Sequence, residues 1–239
     1  MNSDALYDNY SLAANASPDV RAGFIRRTYG HLAGAILAFI AVEALLFQTA
    51  IPEMMMNLLA SSQYSWLIVL GAFMGISYMA DRWTQSGASL QTQYAGLGLF
   101  VLAEAIIFVP LLYMAAAVSG SDVIVSAGLI TLLLFTGLTF TVLTTKKDFS
   151  FLGGFLKIAF FVALGVIVAS ILFGFNLGVL FASVMVIVAA ASILYNTSNV
   201  LHRYHPSQHV AASLTLFASI ALLFWYILRI FMGGGSRRD

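Results

Sequence analysis

The sequence predicts an all-α, polytopic integral membrane protein with seven spanning helices in one membrane domain. Three observations predict it. The chain is 61% hydrophobic, with a mean hydropathy of +0.93. Only 9% of its residues are charged, against about 25% in soluble domains, so it cannot cover itself with polar surface. Its apolar residues also fall into runs near the length of about 20 residues that a bilayer crossing needs.

Seven runs qualify: 28–50, 64–80, 94–117, 122–144, 151–173, 177–197 and 209–232. Before the first, residues 1–27 form a polar N-terminal segment with Asp4, Asp8 and Asp19. It lacks the basic leader and cleavage site of a signal peptide. The first run holds Gly30 and Gly34, and the second holds Gly71 and Gly75; small residues four apart permit close helix packing in lipid. The second run is the shortest, with Trp66 and Trp83 at its ends as interface anchors. The third contains Pro110, a candidate kink. Lys157 sits near enough to the start of the fifth to snorkel. The last two runs are joined by a short polar bridge, and residues 233–239 form a short basic tail.

Lysine and arginine favour the cytoplasmic side. Arg21, Arg26 and Arg27 precede the first run, Arg82 follows the second, Lys146 and Lys147 the fourth, and Arg203 the sixth. The other connections hold neither residue type, which places the N-terminus in the cytoplasm. Arg229, Arg237 and Arg238 break the pattern. Either the seventh helix crosses and its tail is tolerated, or it is re-entrant; its length favours crossing.

There are no cysteines, so no disulfide, thiolate metal site or thiol nucleophile exists. No basic stretch points to nucleic acid. No phosphate-cradling glycine loop is present. No Ser–His–Asp or Ser–Lys arrangement is legible in the spacing, so no enzyme activity, cofactor or resident metal is expected.

Glu43 and Glu104 are the carboxylates well inside the predicted spans. A charge there is costly, so such groups face a cavity or a partner. Both are placed to line one polar cavity as an ion pathway; the alternative is a protonated or hydrogen-bonded packing role. His202, His205 and His209 have spacing that would suit zinc on a continuous helix, but Pro206 interrupts it. The bridge is read as a solvated loop, with histidine leaving room for pH sensing. Ser192, Asn196 and Asn199 recur at helical spacing in the sixth run, and Thr215 and Ser219 in the seventh. Each run therefore carries a polar stripe, and interhelical hydrogen bonding accounts for both without any function.

Three elements resemble a known family. Leu194-Tyr195-Asn196-Thr197 is followed by a polar loop, by Ser213-Leu214-Thr215-Leu216-Phe217-Ala218-Ser219, and by Ile227-Leu228-Arg229-Ile230-Phe231. Thr144 to Ser150 (TTKKDFS) and Tyr29-Gly30 are the other two. Together they resemble the Bax inhibitor-1 family, bacterial branch. The resemblance implies seven helices, six wrapped around a central C-terminal one, and a pH-sensitive calcium leak gated by two aspartates that share a proton. This sequence has Asn196 and Ser219 at those two positions, and neither titrates near neutrality. Arg82, which the family logic sets near Asn196, then lacks its ion-pair partner.

The leading expectation is a cation (calcium) leak channel of the bacterial inner membrane whose di-aspartyl pH gate is altered or absent. The other is a non-conducting regulatory or scaffold protein that binds other membrane proteins. The partners implied are the lipid bilayer, other membrane proteins, and calcium ions or protons as permeant species.

Overall fold

The computed structural model describes residues 12–85 and 88–235. Expectations on residues 1–11 and 236–239, including Asp4, Asp8 and Arg237–Arg238, lie outside the described residues. Among those described, the chain is all-helical. In order, the helices are α1 (Pro18–Leu46), α2 (Ile51–Ala60), α3 (Ser65–Thr84), α4 (Leu90–Ser119), α5 (Ser121–Thr145), α6 (Leu152–Phe173), α7 (Val179–His202) and α8 (His209–Gly235). In lipid a spanning segment must satisfy its own backbone, and a helix does so within one segment.

Local chemistry sets several ends. Pro18 opens α1 where a missing N–H costs nothing. Ser89 caps α4 by accepting from the Thr92 N–H at 3.2 Å. A single residue, Gly120 at φ 84°, separates α4 from α5. Gly174 ends α6 at φ 72°, where a side chain would be strained.

Six helices are long and apolar enough to cross a membrane: α1, α4, α5, α6, α7 and α8. α3 has the length, 20 residues, but Asp81 and Arg82 in its last turn lower its hydropathy. One start and one extra helix stand out against expectation. α1 begins at Pro18 rather than at 28, because the arginine-rich stretch Arg21–Arg27 is helical too. α2 is an unforeseen short helix opened by Ile51-Pro52 and too short to span.

Contact order gives the helix directions. Ser213 of α8 donates to the Thr28 carbonyl of α1 at 2.9 Å, and Phe217 meets Phe39 further along, so these helices run parallel. Phe100 on Phe217 and Phe108 on Phe224 make α4 parallel to α8. α3 opposes α4, since residues 80–84 lie beside Gly96 while Phe73 meets Phe100. α7 opposes α8 and α6 opposes α7, as Asn196–Ser219, Leu177–Arg229 and Gly153–Tyr195 show. Arg26, Arg27, Arg82, Lys146, Lys147 and Arg203 therefore gather at one end of the bundle.

Burial is concentrated in two helices. The most apolar stretches of α8 and α4 are 72% and 67% buried inside the protein, against 6% for α6. α8 packs against α1, α3, α4, α5 and α7, whereas α6 packs chiefly on α7. α8 is one unbroken helix, so the re-entrant alternative finds no break to turn at. The repeats Gly30/Gly34 and Gly71/Gly75 do not mediate packing as expected, for a Cβ at any of them meets nothing within 4 Å. The close approach is at Gly96, where a Cβ would sit 2.7 Å from the Ala80 carbonyl oxygen.

Candidate functional site

Between α7 and α8 the two polar stripes meet. Asn196 Nδ2 donates to Ser219 Oγ at 2.8 Å and to Ser192 Oγ at 3.3 Å. Ser192 and Ser219 hydroxyls are 3.0 Å apart, and Ser219 also donates to the Thr215 carbonyl at 3.0 Å. Their spacing of four on antiparallel helices is what brings these side chains to one seam. Asn199 does not join it. Its side-chain oxygen is buried without a partner among the described residues. Tyr204, from the bridge, takes that place. Its hydroxyl bonds Thr215 Oγ1 at 3.0 Å. Burial raises the Tyr204 phenol above its ordinary pKa, and nearby Asp81 and Tyr195 push it the same way.

The seam opens into a cavity of about 780 Å³. Glu104, Ser192, Asn196, Thr215 and Ser219 all line it, with Trp66 and Trp225 stacked 6.0 Å apart alongside. Glu104 lies between Phe100 and Phe108, whose partners on α8 are Phe217 and Phe224, so it stands near the level of Ser219, about 2 Å beyond it at ~1.5 Å per residue. It is the one carboxylate among the lining residues. The far end holds Asn176 and Arg229, whose guanidinium donates to the Leu177 carbonyl at 3.2 Å. From Thr215 to Arg229 is 14 residues of α8, about 21 Å at ~1.5 Å per residue.

Glu43 is placed differently. It is 7% exposed, does not line this cavity, and both its carboxylate oxygens are buried without a hydrogen-bond partner. The expected shared cavity thus contains one of the two glutamates. Arg82 is also elsewhere, on the outside of α3, where its Nε and Nη2 donate to Tyr78 Oη at 3.0 and 2.8 Å. Trp66 turns inward onto Trp225, while Trp83 stays exposed.

The bridge histidines disperse. His202 Nδ1 lies 2.9 Å from the Ser198 carbonyl, His205 Nδ1 is 2.8 Å from Ser207 Oγ, and His209 sits on the His31 ring at 5.0 Å. Among the described residues no three of His, Asp or Glu gather as metal ligands. Asp148, Ser198 and His202 do converge, and Ser198 accepts from the Phe149 N–H at 2.9 Å while donating to Asp148 at 3.3 Å. A hydrolytic triad needs histidine between nucleophile and acid. Here the fully buried Ser198 hydroxyl donates to the acid directly, so the cluster is a clamp that docks the α5–α6 loop onto α7.

This arrangement, a polar seam between the last two long helices and an α5–α6 loop docked on α7, agrees with a family model described as "Inhibitor of apoptosis-promoting Bax1", which matches residues 21–237. The chain belongs to the Bax inhibitor-1 family. It is 34% identical to an uncharacterised protein of Pseudomonas aeruginosa, covering 90% of this chain and 91% of that one. It is 25% identical to Bax inhibitor 1 of Schizosaccharomyces pombe, over 94% and 81% of the two chains. It is 28% identical to Protein LIFEGUARD 4 of Arabidopsis thaliana, over 90% and 86%. It is a multi-pass membrane protein of this family with two neutral side chains, Asn196 and Ser219, in direct contact at the seam.

Tyr204, Trp66 and Arg229 are the site residues that sequence reasoning missed. Tyr204 sits within the polar bridge beside Arg203, and the bridge offers no periodicity to place it. Arg229 is legible as a topological charge and as part of a family-like element, and neither reading places it at a cavity.

Proposed function

We propose that the protein is a seven-span cation leak of the bacterial cytoplasmic membrane, N-terminus inside, with calcium as a permeant ion and without the family's proton gate. The observation that carries this reading is Glu104, a carboxylate lining the same cavity as the Asn196–Ser219 seam. An intramembrane acid facing a cavity supplies the charge that a dehydrated cation needs. The amides and hydroxyls of Asn196, Ser192, Thr215 and Ser219 supply neutral oxygens near it. The six cations gathered at one end support the orientation. The alternating helix directions support counting α3 as a crossing.

The gate is the missing part. Two carboxylates in contact cannot both ionise cheaply, which makes such a pair a proton switch. Asn196 and Ser219 satisfy one another by hydrogen bonding and have no proton to exchange near neutrality. Flux should therefore be nearly independent of pH at this seam.

The test is calcium flux into liposomes from pH 5 to 8, comparing the parent, Glu104→Gln and the double substitution Asn196→Asp with Ser219→Asp. Expected are measurable flux in the parent, reduced flux in Glu104→Gln, and pH-dependent flux in the double variant alone. Flux at the empty-liposome baseline for the parent rejects the reading. It would favour a second one, a non-conducting regulatory or scaffold protein binding other membrane proteins. One observation supports that alternative: the Arg229 guanidinium stands at the far end of the cavity, where a positive charge opposes cation entry.

A further inference from the structure

Nearer the start of α4 lies a second hollow that shares no lining residue with the Glu104 cavity. It is a groove of about 600 Å³ between α1 and α4. Gly30, Gly34 and Ala38 form its floor on α1, and Gly98 contributes from α4. The floor is bare: a Cβ at Gly30, Gly34 or Gly98 meets nothing within 4 Å. Among the described residues no helix fills the space that the glycines leave.

The groove has a polar end and an apolar length. Arg27 and His31 line one end, where His31 Nε2 lies 3.1 Å from the Tyr94 hydroxyl and so ties α1 to α4. The Arg27 carbonyl meets His31 Nδ1 at 2.6 Å, while among the described residues its guanidinium bonds nothing in the protein. No acid lines the groove. From Arg27 to Val42 is 15 residues of α1, about 22 Å at ~1.5 Å per residue. That is longer than one leaflet's half share of a hydrocarbon core of about 30 Å.

We propose that this groove binds an anionic phospholipid, with one acyl chain along the glycine floor and the phosphate against the Arg27 guanidinium. Arg27 belongs to the basic end of the bundle, and cationic pockets between membrane helices on such a face attract anionic headgroups. An apolar chain fits the rest, whose exposed surface is almost wholly carbon. A second copy of this protein fits poorly. A two-fold, parallel pairing through the groove would bring both Arg27 side chains to the same end, where like charges repel.

Native mass spectrometry of the full chain, titrated with phosphatidylglycerol or phosphatidylcholine, tests this. Expected is one retained phosphatidylglycerol, held more tightly than phosphatidylcholine. Arg27→Gln should weaken phosphatidylglycerol about fivefold, the worth of one cation at an anionic lipid surface, and leave phosphatidylcholine unchanged. Gly34→Leu, which fills the floor, should abolish retention of both. Arg27 is exposed, so its replacement keeps the fold and decides the matter even if Gly34→Leu does not fold. Equal retention of the two lipids by the parent overturns the proposal, as does an Arg27→Gln variant that binds phosphatidylglycerol like the parent. A dimer that Gly34→Leu dissolves, with lipid retention unaltered, also overturns it and assigns the groove to a second copy.

Discussion

Glu43 and Glu104 look alike in the sequence and occupy opposite situations in the fold. Each is a lone acid in a long apolar helix, and each is 7% exposed. Glu104 opens onto a cavity lined by hydroxyls and amides, whereas Glu43 is sealed, with both oxygens unpartnered. The difference teaches that burial does not make an acid functional; access does. A carboxyl with a cavity beside it can be hydrated or can meet a cation. A carboxyl closed in by side chains, its oxygens without partners, costs stability without a return.

The largest effect expected from this comparison is on flux. Glu104→Gln should lower calcium flux in liposomes at least about tenfold, equivalent to a barrier rise of ~1.4 kcal/mol, while Glu43→Gln should leave it within twofold of the parent. Equal loss in both variants would break the contrast. The next effect is on stability and has the opposite distribution. Glu43→Met removes two unsatisfied buried oxygens, so denaturation in detergent should show a gain of about 1–3 kcal/mol. A loss would mean that Glu43 has a partner after all.

Smaller is the cost of cutting the seam. Asn196→Ala removes the bonds to Ser192 and Ser219, and interhelical hydrogen bonds in membranes average about 0.6 kcal/mol, up to ~1.7. Unfolding of this variant should fall in that range, and a larger loss would show that the seam holds more than α7 to α8.

The smallest effect concerns an exposed acid that serves as the control. Asp148, in the α5–α6 loop, accepts from the Ser150 N–H at 2.8 Å. That bond and the Ser150 hydroxyl hold its carboxyl below the ordinary range, with Arg203 and His202 adding attraction. A depressed folded pKa contributes stability that is present above the unfolded value, about 3.9, and is lost as pH falls through the folded one. Hydrogen exchange at the Phe149 amide should therefore quicken only below about pH 4, and Asp148→Asn should remove that dependence. A pH dependence that survives Asp148→Asn would show that another group controls the loop.

The stripes themselves were legible in advance, and the reason is periodic. Ser192 and Asn196, like Thr215 and Ser219, are four apart, which suffices to put each pair on one helix face. Asn199 shows the limit: seven residues from Ser192, it shares nearly the same face, yet its side-chain oxygen has no partner among the described residues and Tyr204 from the bridge is the group that bonds Thr215. Arg82 shows another. Its nearest acceptor is Tyr78, one turn back on its own helix, and a local partner outcompetes a distant one that carries no charge.

Composition and spacing by themselves determined that this chain spans a membrane as apolar helices, that its cations favour one end, and that its last two long runs each carry polar residues four apart. Those are one-dimensional properties, set by transfer free energy and by the helical repeat. Only the tertiary structure decided which glutamate meets a cavity, which glycines touch a neighbouring helix, and which leave a groove. Gly96 against Ala80 and Gly98 against empty space are two residues apart, and what separates them is where the neighbouring helices pass, which depends on the packing of the whole bundle.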